Sequence, residues 1–178
     1  MARILKRIAV GGVIGGVALL LLSAAAYVAG ARINTTRSIP LGLYWTSSAP
    51  LEVGAYVLFC PPPLGLFDEA RARDYIGAGF CPRGYGYMMK RVLAAKDDVI
   101  SVTDDGVRIN GRLLTDSAPS MADKAGRSLP RYQASHYILG NSELLLMSDA
   151  SATSFDGRYF GPINRSQVRT VIRPVITW

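Results

Sequence analysis

The sequence has few of the side chains that carry most hydrolytic and metal-dependent chemistry. Its 178 residues include one histidine, His136, and two cysteines, Cys60 and Cys81. It contains neither a Gly-x-Ser-x-Gly segment nor a P-loop. A Ser-His-Asp site is therefore unattractive, and a zinc ion would need ligands that the chain does not group together. We expect neither a metal nor a cofactor.

Concentrated positive charge is lacking as well. The net charge is +7, but from Arg32 onward 17 Lys and Arg face 13 Asp and Glu, which leaves that part of the chain at +4. Its basic residues are scattered, with no Lys/Arg block and no aromatic platform between them. Nucleic-acid binding usually leaves a basic patch or stripe. We therefore predict no nucleic-acid partner.

The sequence does contain one long apolar segment. Residues 8–31 run for 24 positions without a charge, which at about 1.5 Å per residue is enough to cross a bilayer. Three basic residues precede it: Arg3, Lys6 and Arg7. The positive-inside rule then leaves the N-terminus in the cytoplasm and exports the rest. We predict an anchor or signal at residues 1–31, in the cytoplasmic membrane, and a periplasmic domain at residues 32–178.

A cleaved signal peptide is the alternative to a retained anchor. The basic start and the small residues Ala24-Ala25-Ala26 fit a cleavage site, and the product would then be wholly periplasmic. The same alanines are a candidate for self-processing. The length of the apolar run favours the anchor, since it is long for a signal-peptide core.

The two cysteines predict a disulfide. Disulfides form in exported proteins, and a bond between Cys60 and Cys81 would close a proline-rich excursion. A closed loop of about 20 residues stabilises a fold by roughly 3 kcal/mol. Two independent buried thiols are the alternative.

Alternating apolar residues and turn signals predict a mostly β, antiparallel domain after the N-terminal hydrophobic helix. Residues 32–37 form a polar neck, and residues 38–42 form a loop because Pro40 restricts Ile39 to extended geometry. We expect a short helix within 64–76 and two insertions, at about 61–86 and 115–134. Strands are expected at 53–60, 87–93, 98–103, 107–110, 136–139, 144–147 and 168–176.

Lys90 stands out within the second predicted strand. Strand alternation puts Met88, Lys90 and Val92 on one face and Arg91 on the other, so one of two cations must face the core. A buried lysine loses its charge more easily and can then take a proton from a serine hydroxyl. The alternative is an edge strand on which both cations are solvated.

Four segments in order carry a family resemblance, and Lys90 lies in the third. The first is Ser38-Ile39-Pro40-Leu41, just after the apolar run, and the second is Gly54-Ala55-Tyr56-Val57. The third holds Lys90-Arg91-Val92, and the fourth reads Ser154-x-Asp156-x-Arg158-x-x-Gly161.

These segments resemble the type I signal peptidase superfamily, the serine–lysine leader peptidases, over about residues 36–165. Within this superfamily, the chain is similar to the peptidases of plasmid conjugative transfer in its short length and its cysteine pair. Some motif positions depart from the family pattern: Ala55, Ala95, Ser148 and Ala150. The resemblance implies a signal-peptidase-like β domain.

The resemblance also implies roles for individual residues. Ser38 is the nucleophile, Lys90 the general base, and Thr36 an oxyanion-hole donor, or else an ordinary turn hydroxyl. Ser154 directs the lysine amine. Asp156 and Arg158 form a supporting ion pair, for which the alternative is a surface pair of little consequence. Asp149 is interpreted as structural.

The implied function is maturation of an exported pilin for conjugation, with a cyclic product in the best-known relatives. The implied partners are the pilin or another small exported protein, the cytoplasmic membrane and other proteins of the conjugation apparatus. A general type I signal peptidase is one alternative. The other is a membrane-anchored pilus or secretion assembly component without catalytic activity, which the altered motif positions keep open.

Overall fold

The structure is a computed structural model that describes residues 2–148 and 150–178. Asp149, for which a structural role was expected, lies outside the described residues. Helix α1, Ala2–Val28, opens the chain, and its described side chains are exposed. Its portion Arg3–Val28 is long and apolar enough to span a bilayer, by length and composition.

The described residues after α1 are mostly β structure. They include the short helices α2, Gly65–Ala72, and α3, Gly157–Phe160, and the 3-10 turns Pro82–Gly84 and Arg165–Gln167. The strands are β1 Ala31–Asn34, β2 Gly42–Ser47, β3 Tyr56–Phe59, β4 Met88–Ala94, β5 Val99–Thr103, β6 Gly106–Ile109, β7 Arg112–Leu113, β8 Ala134–Ile138, β9 Glu143–Met147, β10 Ile163–Asn164 and β11 Val168–Thr177.

The strands form two antiparallel sheets. The larger has the order β1-β2-β11-β3-β4-β9-β10, and the smaller has the order β7-β6-β5-β8. The mostly β, antiparallel architecture predicted from the sequence is confirmed. β1 lies at one edge of the larger sheet, and β4 lies inside it between β3 and β9.

Two local expectations were wrong. The polar neck at 32–37 is in part strand β1, whose residues pair with β2 from Ala31 opposite Trp45 to Asn34 opposite Gly42. The polar composition of the neck does not indicate a strand, because this strand forms through its pairing with β2 and not through local propensity. The strand expected from residue 53 starts only at Tyr56, because Gly54 turns the chain with φ of 95°.

Strand β9 joins the two halves of the core. Leu144 and Leu146 pack into a cluster with Phe59 and Val92, whereas Leu145 and Met147 face a second cluster under the smaller sheet. Residues 144–147 are therefore buried on both faces, which explains their uninterrupted apolar run. The segment that carries Ser154 follows this strand in the chain.

The first excursion, 61–86, is closed by the expected disulfide between Cys60 and Cys81. Both sulfur-bearing residues are buried, and α2 adds Phe67 and Ala70 to the same core cluster. The second excursion, 115–134, is irregular apart from one bridge between Ala122 and Ser128 and the first residue of β8.

Candidate active site

Lys90 is the buried cation of strand β4. Its side chain is 2 % exposed and shares a face with Met88 and Val92, while Arg91 lies on the other, less buried face. Burial lowers the pKa of Lys90 from 10.5 to about 8; the negative charge of Asp156 opposes this and the positive charge of Arg158 adds to it. A lysine with this pKa is partly neutral near neutral pH and can accept a proton.

The Lys90 amine is directed by a serine. Its Nζ donates to Ser154 Oγ over 2.8 Å in a buried contact. Ser154 lies between β9 and α3, and its residue is 7 % exposed. This bond fixes where the amine points.

A buried ion pair braces the segment that carries Ser154. Arg158 Nε and Nη2 donate to the two Asp156 carboxylate oxygens, over 2.8 and 3.1 Å, and Nη1 donates to the backbone carbonyl of Ala152 over 2.7 Å. Asp156 Oδ2 also accepts from the Ser148 backbone N–H. The pair is fully buried, so it is not the surface pair that was the alternative. Breaking such a pair leaves an uncompensated charge, which costs about 3–5 kcal/mol.

Ser38 lies in the turn that joins β1 to β2. Its side chain is half-buried, and the next residue, Ile39, is completely buried in a small cluster with Tyr44. The Tyr44 hydroxyl donates to the Pro40 carbonyl over 2.7 Å. The turn is thus tied to the sheet immediately after the serine.

Asn34 is a site residue that the sequence did not single out. Its side chain is 4 % exposed, and Nδ2 lies 2.7, 2.9 and 3.0 Å from the carbonyl oxygens of Thr36, Ile39 and Pro40. Its Oδ1 accepts from the Thr36 backbone N–H over 3.2 Å. One side chain therefore holds both ends of the turn around Ser38. An asparagine four residues before a serine gives no pattern that would have indicated this.

Thr36 lies beside the candidate nucleophile. Its Oγ1 is 3.4 Å from Ser38 Oγ and 3.1 Å from Asn34 Oδ1. Because an amide oxygen only accepts, the Thr36 hydroxyl hydrogen points to Asn34, and Thr36 can accept from Ser38. Thr36 must release Asn34 before its hydroxyl can donate to an oxyanion.

Ser38 and Lys90 both line one cavity of about 200 Å³. It lies between the β1–β2 turn and strand β4, and Tyr75, Gly77 and Phe155 close it. The predicted dyad residues therefore share a cavity, and Thr36 also lines it. Ser154 contacts the Lys90 amine, and the Asp156–Arg158 pair holds the segment that carries Ser154.

An antiparallel β domain that brings a serine and a buried lysine into one cavity is the arrangement expected of a signal-peptidase-like protein. Comparison with protein families agrees: residues 1–178 match the family described as signal peptidase, peptidase S26. The chain belongs to this family, and the resemblance expected from its motifs is confirmed.

Among curated proteins, two plasmid transfer proteins TraF from Escherichia coli are similar to this chain. One is 77% identical over 178 residues, covering 100% of both chains, and the other is 67% identical over 165 residues, covering 93% of each. A conjugal transfer protein TraF of Agrobacterium tumefaciens strain 15955 is 37% identical over 159 residues, 88% of each chain. A solved signal peptidase I from Enterococcus faecalis V583 has a TM-score of 0.42 and 17% identity, and covers 71% of this chain and 100% of its own.

Proposed function

We propose that this chain is a serine endopeptidase that matures an exported propilin for plasmid conjugative transfer, with Ser38 as nucleophile and Lys90 as general base. The observation that carries this proposal is the buried Lys90 amine, with a pKa of about 8, in the same cavity as Ser38. The conjugation context comes from the relatives named plasmid transfer protein.

The chemistry follows from the two groups. Ser38 Oγ attacks the scissile carbonyl carbon as its proton passes to neutral Lys90 Nζ. The tetrahedral intermediate collapses, and Lys90 gives that proton to the departing amine. The acyl group stays on Ser38 as an ester until water or another amine attacks it. Water gives a linear product, and the N-terminal amine of the substrate gives a cyclic one.

The turn around Ser38 supplies the oxyanion donors in this proposal. The Ser38 backbone N–H is one, and the Thr36 hydroxyl is the other once its hydrogen turns away from Asn34. Loss of one such donor typically lowers kcat by on the order of 10²-fold.

The edge position of β1 suits an extended substrate. A peptide can add to the sheet beside β1, with main-chain hydrogen bonds to the strand that leads into the Ser38 turn. The cavity of about 200 Å³ also contains the dyad, so it favours small side chains next to the scissile bond.

Helix α1 would hold the domain at the periplasmic face of the cytoplasmic membrane. Ala24-Ala25-Ala26 lie within this helix, which ends at Val28, two residues after Ala26. A substrate that pairs with β1 must be extended, so cleavage at these alanines would require α1 to unwind. We therefore favour a retained anchor over self-processing.

Co-expression of the candidate propilin with wild type, Ser38→Ala or Lys90→Ala tests the proposal. We expect maturation with wild type and with the control Lys96→Ala, which changes an exposed lysine, and none with Ser38→Ala or Lys90→Ala. Full maturation by Ser38→Ala or Lys90→Ala would contradict the dyad. Intact mass then identifies the product, because a cyclic chain is one water lighter than the linear one.

A further inference from the structure

A second cavity lies directly beside the one that holds Ser38 and Lys90. It has a volume of about 320 Å³ and shares two wall residues with the first, Tyr75 and Phe155. Its other walls are Thr153, Tyr159 and part of the second excursion, from Ser120 to Leu129. The excursion thus contributes a concave surface that adjoins the candidate active site.

The floor of this second cavity is aromatic. The rings of Phe155 and Tyr159 stack with their centroids 5.8 Å apart, and Tyr75 lies 5.6 Å from Phe155. Such rings bind apolar and aromatic side chains through their large buried area.

Three charged residues line the second cavity: Asp123 and Arg127, which pair with each other, and the exposed Lys124. Asp123 accepts from Arg127 Nε over 2.7 Å and from the Tyr75 hydroxyl. The hydrogen bond from Tyr75, with those from Arg127, holds the pKa of Asp123 well below its usual range. The carboxylate is therefore occupied within the protein, and the part of the cavity formed by the rings of Tyr75, Phe155 and Tyr159 suits an apolar side chain.

The position of the second cavity places it on the leaving-group side of the scissile bond. Thr153 and Phe155, which line it, flank Ser154, the residue that binds the Lys90 amine. Lys90 must reach the departing nitrogen to protonate it. The peptide segment that begins with this nitrogen therefore leaves past Lys90 and the Ser154 segment, toward the second cavity.

We propose that the second cavity is the subsite for an apolar or aromatic side chain on the leaving-group side of the scissile bond. The proposal rests on the proposed function, because it assumes that Lys90 protonates the leaving amine. It assigns the second excursion a role in choosing substrates.

Ala122→Trp tests the subsite. Ala122 is exposed and lines the second cavity, so the larger side chain of the variant would fill the cavity. Met121→Trp is the matched control, because Met121 is its exposed neighbour and does not line the cavity. Two substrates with the same acyl part are compared on the full-length enzyme in detergent. One is a methyl ester, and the other is a peptide that continues for several residues, including a phenylalanine, beyond the scissile bond.

For Ala122→Trp we expect kcat/KM on the extended peptide to fall about tenfold or more, as is usual when a pocket loses one apolar group. On the methyl ester, its kcat/KM should equal that of wild type, and Met121→Trp should match wild type on both substrates. Equal activity of Ala122→Trp on the extended peptide would overturn the subsite. If wild type cleaves neither substrate in a Ser38-dependent way, the proposed function itself has failed.

Discussion

Lys90 Nζ donates a hydrogen bond to Ser154 Oγ over 2.8 Å, and both side chains are buried. The two residues are 64 positions apart and come from β4 and from the segment after β9. The contact joins the candidate base to a segment that the Asp156–Arg158 pair holds in place. It connects the fold to the chemistry.

The pH dependence of kcat/KM should follow the protonation of Lys90. Its folded pKa is lowered to about 8, chiefly by burial, and only the neutral amine accepts the Ser38 proton. Activity should therefore rise with pH, about tenfold per unit well below pH 8, and level off above it. A rate profile with a peptide substrate measures this. A flat profile between pH 6 and 9 would contradict the assignment.

Ser154→Ala should lower kcat by about 10–100-fold with little change in KM, because the amine loses the bond that directs it toward Ser38. Ser151→Ala is the matched control, since that serine lies on the same segment and its hydroxyl contacts Thr153 instead. Steady-state kinetics give kcat and KM for both variants, and Ser151→Ala should match wild type in both. A pure KM effect in Ser154→Ala would place Ser154 in substrate binding instead.

Lys90→Met should stabilise the fold while it abolishes activity. The folded pKa of about 8 lies below the unfolded value of 10.5, so protonated Lys90 costs the native state about 3 kcal/mol at every pH below 8. That cost shrinks as pH rises from 8 to 10.5. Loss of the bond to Ser154 offsets about 1 kcal/mol.

Denaturant unfolding of the full chain in detergent measures this effect. The free energy of unfolding of Lys90→Met should exceed that of wild type by about 1–3 kcal/mol at pH 7 and by less at pH 10. A difference that grows with pH would show that the pKa of Lys90 is not lowered.

Asn34→Ala should lower kcat by roughly 10–100-fold, since a nucleophile displaced by about 1 Å costs a rate factor of that size. Asn34→Asp should be at least as damaging, because a carboxylate has no hydrogen to donate to the three carbonyls around it. The pH midpoint of Asn34→Ala should equal that of wild type, because this variant adds no charge to the cavity that Asn34 and Lys90 both line.

Tyr44→Phe is the comparison for Asn34. It removes the bond to the Pro40 carbonyl and leaves the contacts at Thr36 in place. We expect a smaller loss of kcat than in either Asn34 variant. If all three variants lose the same activity, Asn34 supports the fold generally and does not position Ser38.

Lys90 was predictable only in part. Alternation along one strand is local and places Lys90 and Arg91 on opposite faces, but both faces carry apolar neighbours, and the position of β4 between β3 and β9 decides that the Lys90 face is the buried one. The cysteine pairing was predictable for a different reason, because two cysteines allow only one intramolecular disulfide. Ser38 depended on the order of four motifs, because its own surroundings are those of an ordinary turn.

Asn34 and the second cavity were not predictable from local pattern. Asn34 acts through carbonyls of the chain that follows it, and its burial depends on β1 pairing with β2. The second cavity forms where Tyr75, from the first excursion, meets Phe155 and the second excursion. Such meetings depend on tertiary packing between segments far apart in the sequence, which periodicity does not encode.

The most direct test of the account is to trap the acyl group on the enzyme. Wild type in detergent is mixed with a cleavable peptide and quenched during turnover with acid, in which the ester is stable. The mass of the protein is then measured. We predict an increase equal to the acyl part, located by peptide mapping on Ser38 and absent from Lys90→Met. An adduct on Thr36 or Ser154, or an undiminished adduct in Lys90→Met, would contradict the Ser38–Lys90 dyad.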